Sequence, residues 1–227
     1  MRHHPAKCET RLQVDHDTLA EALRLQRIGI SVIPIGREKK PALPEWTPFK
    51  TTAADEHQVR DWFDRRDDLG LAIILGPVSG NLVARDFDWF EAWERWATEY
   101  PKLEQMLPAV ETSRGRHVYA RIVGCPFMKR KDGELRANKH YVVAPPSVHR
   151  SGKQYRWVRG FDTLADVPAI TLEESGFGRD WLGTDDQAPE PMPQIGTESV
   201  SVRSVSICPY LWQSDGLLQG TIPTAYG

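Results

Sequence analysis

The sequence predicts a mixed α/β (α+β) domain, and three observations carry that expectation. The first half alternates apolar stretches of helical period with short β-rich runs. The second half is dominated by segments that alternate polar and apolar residues between glycine and proline turns. From about Gly183 the composition changes to GTDDQAPEPMPQIGTESVSVRSVS, which reads as linker. The organisation expected is a flexible arm over 1–16, a folded domain over 17–183 and a linker-like tail over 184–227. The last stretch, ICPYLWQSDGLLQGTIPTAYG, is too short to fold alone and reads as the start of a further region.

In chain order, the arm is polar and aperiodic, with His3 and His4 side by side as an ordinary feature of a tail. A helix reads from Asp17 as N-cap through Leu19, Ala22, Leu23, Leu25 and Gln26, with Gly29 ending it. Ser31 to Ile35 is a short strand. GREKKPALPEW then presents Lys39 and Lys40 on a proline-broken loop, where Lys40 reads either as a phosphate contact or as a solvated residue. Thr52 to Arg66 has the period of a helix with Val59, Trp62 and Phe63 inward, and Leu71 to Leu75 is a buried strand. A Gly-Pro-Val-Ser-Gly turn leads into NLVARDFDWFEAW, where a β-rich run reaches Asp86 and Asp88. Phe90, Trp93, Trp96 and Ala97 follow at helical spacing, and the tryptophans read as core.

Val110 to Ile122 reads as strand, glycine turn and strand, with His117, Tyr119 and Arg121 on one face of the second strand. GCPFMKRKDG reads as a loop, and Glu134 and Arg136 then share a face of a short strand. Tyr141 to Ala144 is a buried strand stopped by Pro145-Pro146-Ser147, and Gln154 to Val158 is the last strand. Residues 163–183 read as a closing helical segment.

Three scattered cysteines, Cys8, Cys125 and Cys208, form no Cys-x-x-Cys pair, so neither a disulfide framework nor a zinc site is expected. No signal peptide and no membrane-length apolar run is evident, and a cytoplasmic location is expected. The net charge of −2 argues by itself against a nucleic-acid binder, but its distribution does not. Arg114 to Gly160 holds twelve Lys and Arg against only Asp132 and Glu134, a surplus of ten positive charges. Such a segment is either a polyanion-facing surface or a solvated face paired with the acidic remainder.

Side chains two apart on a strand share a face, so Asp86 and Asp88 can meet one divalent cation or a pair. Hard oxygen donors of this kind suit Mg²⁺ or Mn²⁺ carrying substrate phosphates. The same residues also fit a strand-end turn that caps the following helix. No GxxxxGK[ST] loop is present, so no helicase-type motor is encoded here.

Asp86-x-Asp88, Ser113-x₃-His117 and Glu134-x-Arg136 occur in order on separate strands. With ALRLQRIGISVIPI, KKPALPEW, GPVSGNLVARDFD, ETSRGRHVYAR and ELRANKHYVVAPPSVHRSGKQYRW, the chain resembles the N-terminal domain of bifunctional DNA primase–polymerases over roughly 17–183. This is the prim–pol branch of the archaeo-eukaryotic primase superfamily. The resemblance implies an RNA-recognition-motif-like catalytic sheet packed with helices, beside an N-terminal αβ unit. It also implies template-directed transfer of ribo- or deoxynucleotides from NTPs or dNTPs to a 3′-hydroxyl on single-stranded DNA in replication. By position, Asp86, Asp88 and Glu134 match the catalytic and metal carboxylates for two Mg²⁺ or Mn²⁺ ions. His117 with Ser113 matches the nucleotide-phosphate contact. Two departures stand out: Glu134 replaces an aspartate, and Lys139-His140 replace a glycine pair.

Arg116, His117 and Arg136 are further expected to supply positive charge to developing phosphate charge. Tyr119, Tyr141 and Trp157 are candidates to stack on a base, Tyr141 also reading as core. Two rival readings remain: a catalytically inactive prim–pol-fold module that binds nucleotide or DNA and recruits a replication helicase, and a metal-dependent nuclease on the same carboxylates.

Overall fold

The computed structural model describes residues 18–182, apart from Arg65 and Asp67. The expected arm, the Asp17 cap and the linker-like tail lie outside the described residues. The first helix, α1 (18–27), ends where Gly29 takes φ +87°. The amides of Gly29 and Ile30 return to the carbonyls of Gln26 and Leu25, each at 3.0 Å. Helix α2 spans Glu56–Phe63 rather than starting at Thr52, because the Asp55 carboxylate accepts from the Gln58 amide and sets the first turn.

The strands are β1 (Val32–Ile35), β2 (Gly70–Ile74), β3 (Leu82–Phe87), β4 (Ala109–Glu111) and β5 (Arg116–Arg121). After them come β6 (Met128–Arg130), β7 (Gly133–Arg136), β8 (Tyr141–Ala144) and β9 (Arg156–Arg159). Between β3 and β4 lie α3 (Phe90–Glu99) and α4 (Pro101–Met106), and α5 (Leu172–Ser175) follows β9. A small sheet runs β1-β2-β8 and a large one β6-β7-β3-β5-β4-β9, with antiparallel pairing between the neighbouring strands of each.

The large sheet is covered on both faces. Val83, Phe87, Val118 and Leu135 pack with Trp96 of α3 and with Phe177 and Trp181 in one core. Ala84, Val110 and Tyr119, of opposite parity, join the core built on β1, β2, α1 and α2. The domain is thus an α+β fold in three layers, with β3 near the centre of the large sheet. Trp96 is fully buried, as expected of a core residue. Among the described residues no helix is long and apolar enough to cross a membrane.

Two segments differ from the sequence reading. Residues 128–130 form an edge strand where a loop was expected, paired Lys129 to Glu134 across a hairpin that turns at Lys131-Asp132. The Asp132-Gly133 step was the available turn signal. The stretch after Phe161 is not one helix, because Pro168, Gly176 and Gly178 interrupt it. Instead the Pro168 carbonyl and the Ile170 amide bond the Arg121 backbone at 2.9 and 3.0 Å, and α5 stops at Gly176 with φ +65°.

Candidate active site

The register of the large sheet sets the site. Asp86 on β3 stands directly across from His117 on β5 and from Glu134 on β7. Cross-strand partners share a face, so the three meet on the face opposite α3. Close approach at the end of β3 depends on two glycines. A Cβ on Gly133 (φ +137°) would lie 2.0 Å from the Asp86 carbonyl oxygen, and one on Gly115 would lie 1.9 Å from that of Phe87. Neither position accepts a side chain without separating the strands.

Beneath this end of the strand lies an ion pair that sequence reasoning missed. Arg85 and Asp132 are both fully buried, with Nη2 2.5 Å from Oδ1. Arg85 Nη1 donates to the Asp86 carbonyl at 2.9 Å, and the Asp132 carbonyl accepts from the Asp88 amide at 2.9 Å. The second Asp132 oxygen accepts from the Trp181 amide at 2.8 Å. One buried pair therefore ties down the backbone at both candidate carboxylates. The signal was parity: Arg85 lies between Val83 and Phe87 on the helix-covered face.

On the face opposite α3, His117 Nε2 is 3.3 Å from Asp86 Oδ1, and Arg136 Nε is 3.6 Å from Asp86 Oδ2. Arg136 Nη2 pairs with Glu134 Oε2 at 2.7 Å, so one guanidinium bridges two of the three carboxylates. Burial pushes the Asp86 carboxyl up, but His117, Arg136 and Lys39 outweigh it and hold the group below the usual carboxylate range. Asp88 behaves oppositely. Burial and the negative charges of Asp86 and Glu134 raise its carboxyl, against Arg114 and Arg136. His117 Nδ1, the Tyr119 hydroxyl and Arg136 Nε are buried without a hydrogen-bond partner around Asp86.

Beside the carboxylates opens a cavity of about 580 Å³ with Arg37, Lys39, His149, Arg150 and Tyr155 in its wall. Lys39, at φ +61°, has its carbonyl held by the Tyr141 hydroxyl at 2.9 Å. Burial lowers the proton affinity of its ammonium, while Asp86 and Asp88 oppose that effect. Lys39 therefore stands between cavity and carboxylates. Lys40, the residue singled out in the sequence, is exposed and 3.7 Å from Glu38. Tyr155 connects the two regions, its ring 5.8 Å from that of His117 and its hydroxyl pushed up to about 12 by burial and by Asp86.

The other expected residues divide. Ser113 is half-buried in the β4–β5 turn, which Thr112 pins by accepting from the Gly115 amide at 3.0 Å. His117 is only 4 % exposed and directed at Asp86. Arg116 is a correction. It alternates with His117, so it falls on the helix-covered face, 4.0 Å over the Trp93 ring and 5.5 Å over Phe90. Tyr119 is fully buried core, whereas Tyr141 and Trp157 are half-buried and bonded to Lys39 and Glu21.

Among the described residues no three His, Cys, Asp or Glu side chains form a ready metal cage. The donor set nonetheless fits a hard divalent cation. It is all oxygen, and burial and mutual repulsion, which together raise Asp88, are both offset by positive charge placed among Asp86, Asp88 and Glu134.

An antiparallel sheet with carboxylates and cations at one rim, next to a basic cavity, defines an α+β domain suited to a phosphate-bearing ligand. A family model, bifunctional DNA primase/polymerase N-terminal domain, matches residues 22–170, and the chain belongs to this family. No curated protein matches the chain.

Proposed function

We propose that this domain is a template-dependent nucleotidyltransferase that joins a nucleoside triphosphate to a 3′-hydroxyl on DNA. The observation that carries the reading is the register placing Asp86 between His117 and Glu134, with Asp88 two residues on. Asp86, Asp88 and Glu134 would hold two Mg²⁺ or Mn²⁺ ions, which when bound activate the attacking oxygen and offset charge on the leaving one. His117 keeps Asp86 ionised and oriented. Arg136 holds Glu134 until the site is loaded and supplies fixed positive charge to the transferring phosphoryl group. Lys39, Arg37 and Arg150 receive the remaining phosphates in the cavity beside Tyr155. The Arg85–Asp132 pair keeps the two aspartates from shifting as charge changes above them.

A second reading, a nucleotide- or DNA-binding module without turnover, draws on Arg136, whose guanidinium already neutralises Glu134 and approaches Asp86. Labelled nucleotides, Mg²⁺ or Mn²⁺ and single-stranded DNA, with and without primer, separate the two. A polymerase extends the primer and a primase also makes short products without one. A binding module gives only retarded mobility. Shortened DNA would indicate a nuclease.

A further inference from the structure

An aromatic and cationic shelf adjoins the carboxylates on the β7 side, and none of its residues lines the cavity. The Phe127 and His140 rings lie 4.1 Å apart between centroids and 6° from parallel, both half-buried. Burial and the charge of Arg136, opposed by Glu134, lower the proton affinity of His140, with Lys50 adding to the effect. Phe127 directly precedes β6, whose register runs towards the Arg136 end of β7, so the stack sits at that end of the hairpin and presents a neutral aromatic surface. Lys129 is exposed and directly across β6–β7 from Glu134, on the carboxylate face. Lys139 is exposed beside the stack, and Lys50 lies 4.1 Å over the Trp46 ring.

The backbone under the stack is fixed. The His140 amide donates to the Ala137 carbonyl at 3.0 Å. The Lys139 amide donates to the Leu75 carbonyl at 3.2 Å, and the Leu75 amide to the His140 carbonyl at 2.8 Å. The turn takes Lys139 to φ +66°, a conformation that favours glycine. Lysine takes that conformation here at a backbone cost.

We propose that this shelf seats single-stranded nucleic acid, an unpaired base lying against the Phe127–His140 stack and its phosphates against Lys129, Lys139 and Lys50. Stacking tolerates any base because every base has a π-face, and the lysines add a salt-dependent, sequence-independent grip. A duplex keeps its bases stacked inside and cannot use the aromatic pair. That the bound strand is the template rests on the nucleotidyl-transfer reading; the binding itself does not.

The test is anisotropy of a fluorescent oligo(dT) of about twelve nucleotides, in EDTA without nucleotide, over a salt series, using the whole chain. Phe127→Ala with His140→Ala should weaken binding about tenfold or more, the scale of lost base stacking. The salt slope and duplex binding should be unchanged, and His140→Tyr should keep wild-type affinity. Lys139→Gly should weaken binding about two- to threefold, reduce the salt slope by about one and raise Tm. Wild-type oligo(dT) affinity in the double variant overturns the proposal. So does equal loss for duplex, or a loss that His140→Tyr shares while circular dichroism stays native. A wild-type protein that never extends primers, yet loses oligo(dT) binding in the double variant, would sink the polymerase reading and leave the shelf standing.

Discussion

The two faces of the large sheet carry charges of the same kinds and treat them in opposite ways. On the helix-covered face Arg85 meets one carboxylate, Asp132, with both at 0 % exposure, and Arg85 Nη1 and the second Asp132 oxygen are spent on backbone. On the opposite face, one residue along the same strand, Asp86 shares a small area with Asp88 and Glu134, and burial together with these like charges raises Asp88. The first arrangement is closed and serves the fold. The second crowds three carboxylates among Arg136, Lys39, Arg114 and His117 and pushes two of them in opposite directions, the perturbation expected of a functional site.

Breaking the closed side should have the largest effect on folding. Arg85→Met alone leaves Asp132 buried and unpaired and should cost about 3–5 kcal/mol in urea unfolding. The double variant Arg85→Met with Asp132→Leu should recover much of that loss, because no buried charge remains. If the single and double variants are equally unstable, the pair is not the strut described.

On the carboxylate side, Glu134→Gln should reduce primer extension roughly a hundredfold or more, with the fold intact. Glu134→Asp should stay within about tenfold of wild type, since the shorter carboxylate keeps the charge across from Asp86. Collapse of the aspartate variant would mean that the geometry is matched to the longer side chain.

The smallest effect concerns pH. Asp88 is raised in the fold, so metal-free stability falls as pH rises through its folded value. Asp86 is lowered, so its contribution is present at neutral pH and lost on acidification through its folded value. Asp88→Asn should therefore raise Tm slightly in EDTA near pH 7, and thermal scans should show the gain shrinking towards acid pH. A lower Tm in that variant at pH 7 would contradict the burial and repulsion inferred to raise Asp88.

Much of this was legible in the sequence because a strand's alternation is strict. Asp86 and Asp88 shared a face by counting, as did Glu134 and Arg136, and the register then aligned the two pairs. The same counting places Arg116 opposite His117; grouping it with the site by proximity along the chain overrode the parity. Lys39 could not be separated from Lys40, because a loop has no period and only the Tyr141 bond and the local turn settle which lysine faces inward. Asp132 was counted as a surface charge, since nothing local tells a hairpin aspartate that its partner lies 47 residues away. The shelf was hidden for a similar reason: Phe127 and His140 meet only when β6 and β7 pair.

The central claim is tested most directly by primer extension with Asp86→Asn, in Mg²⁺ and in Mn²⁺, after circular dichroism has confirmed a native fold. Extension by that variant should fall to about one-thousandth of wild type or less. Extension at the wild-type rate would contradict the assignment of Asp86, and with it the account of the site.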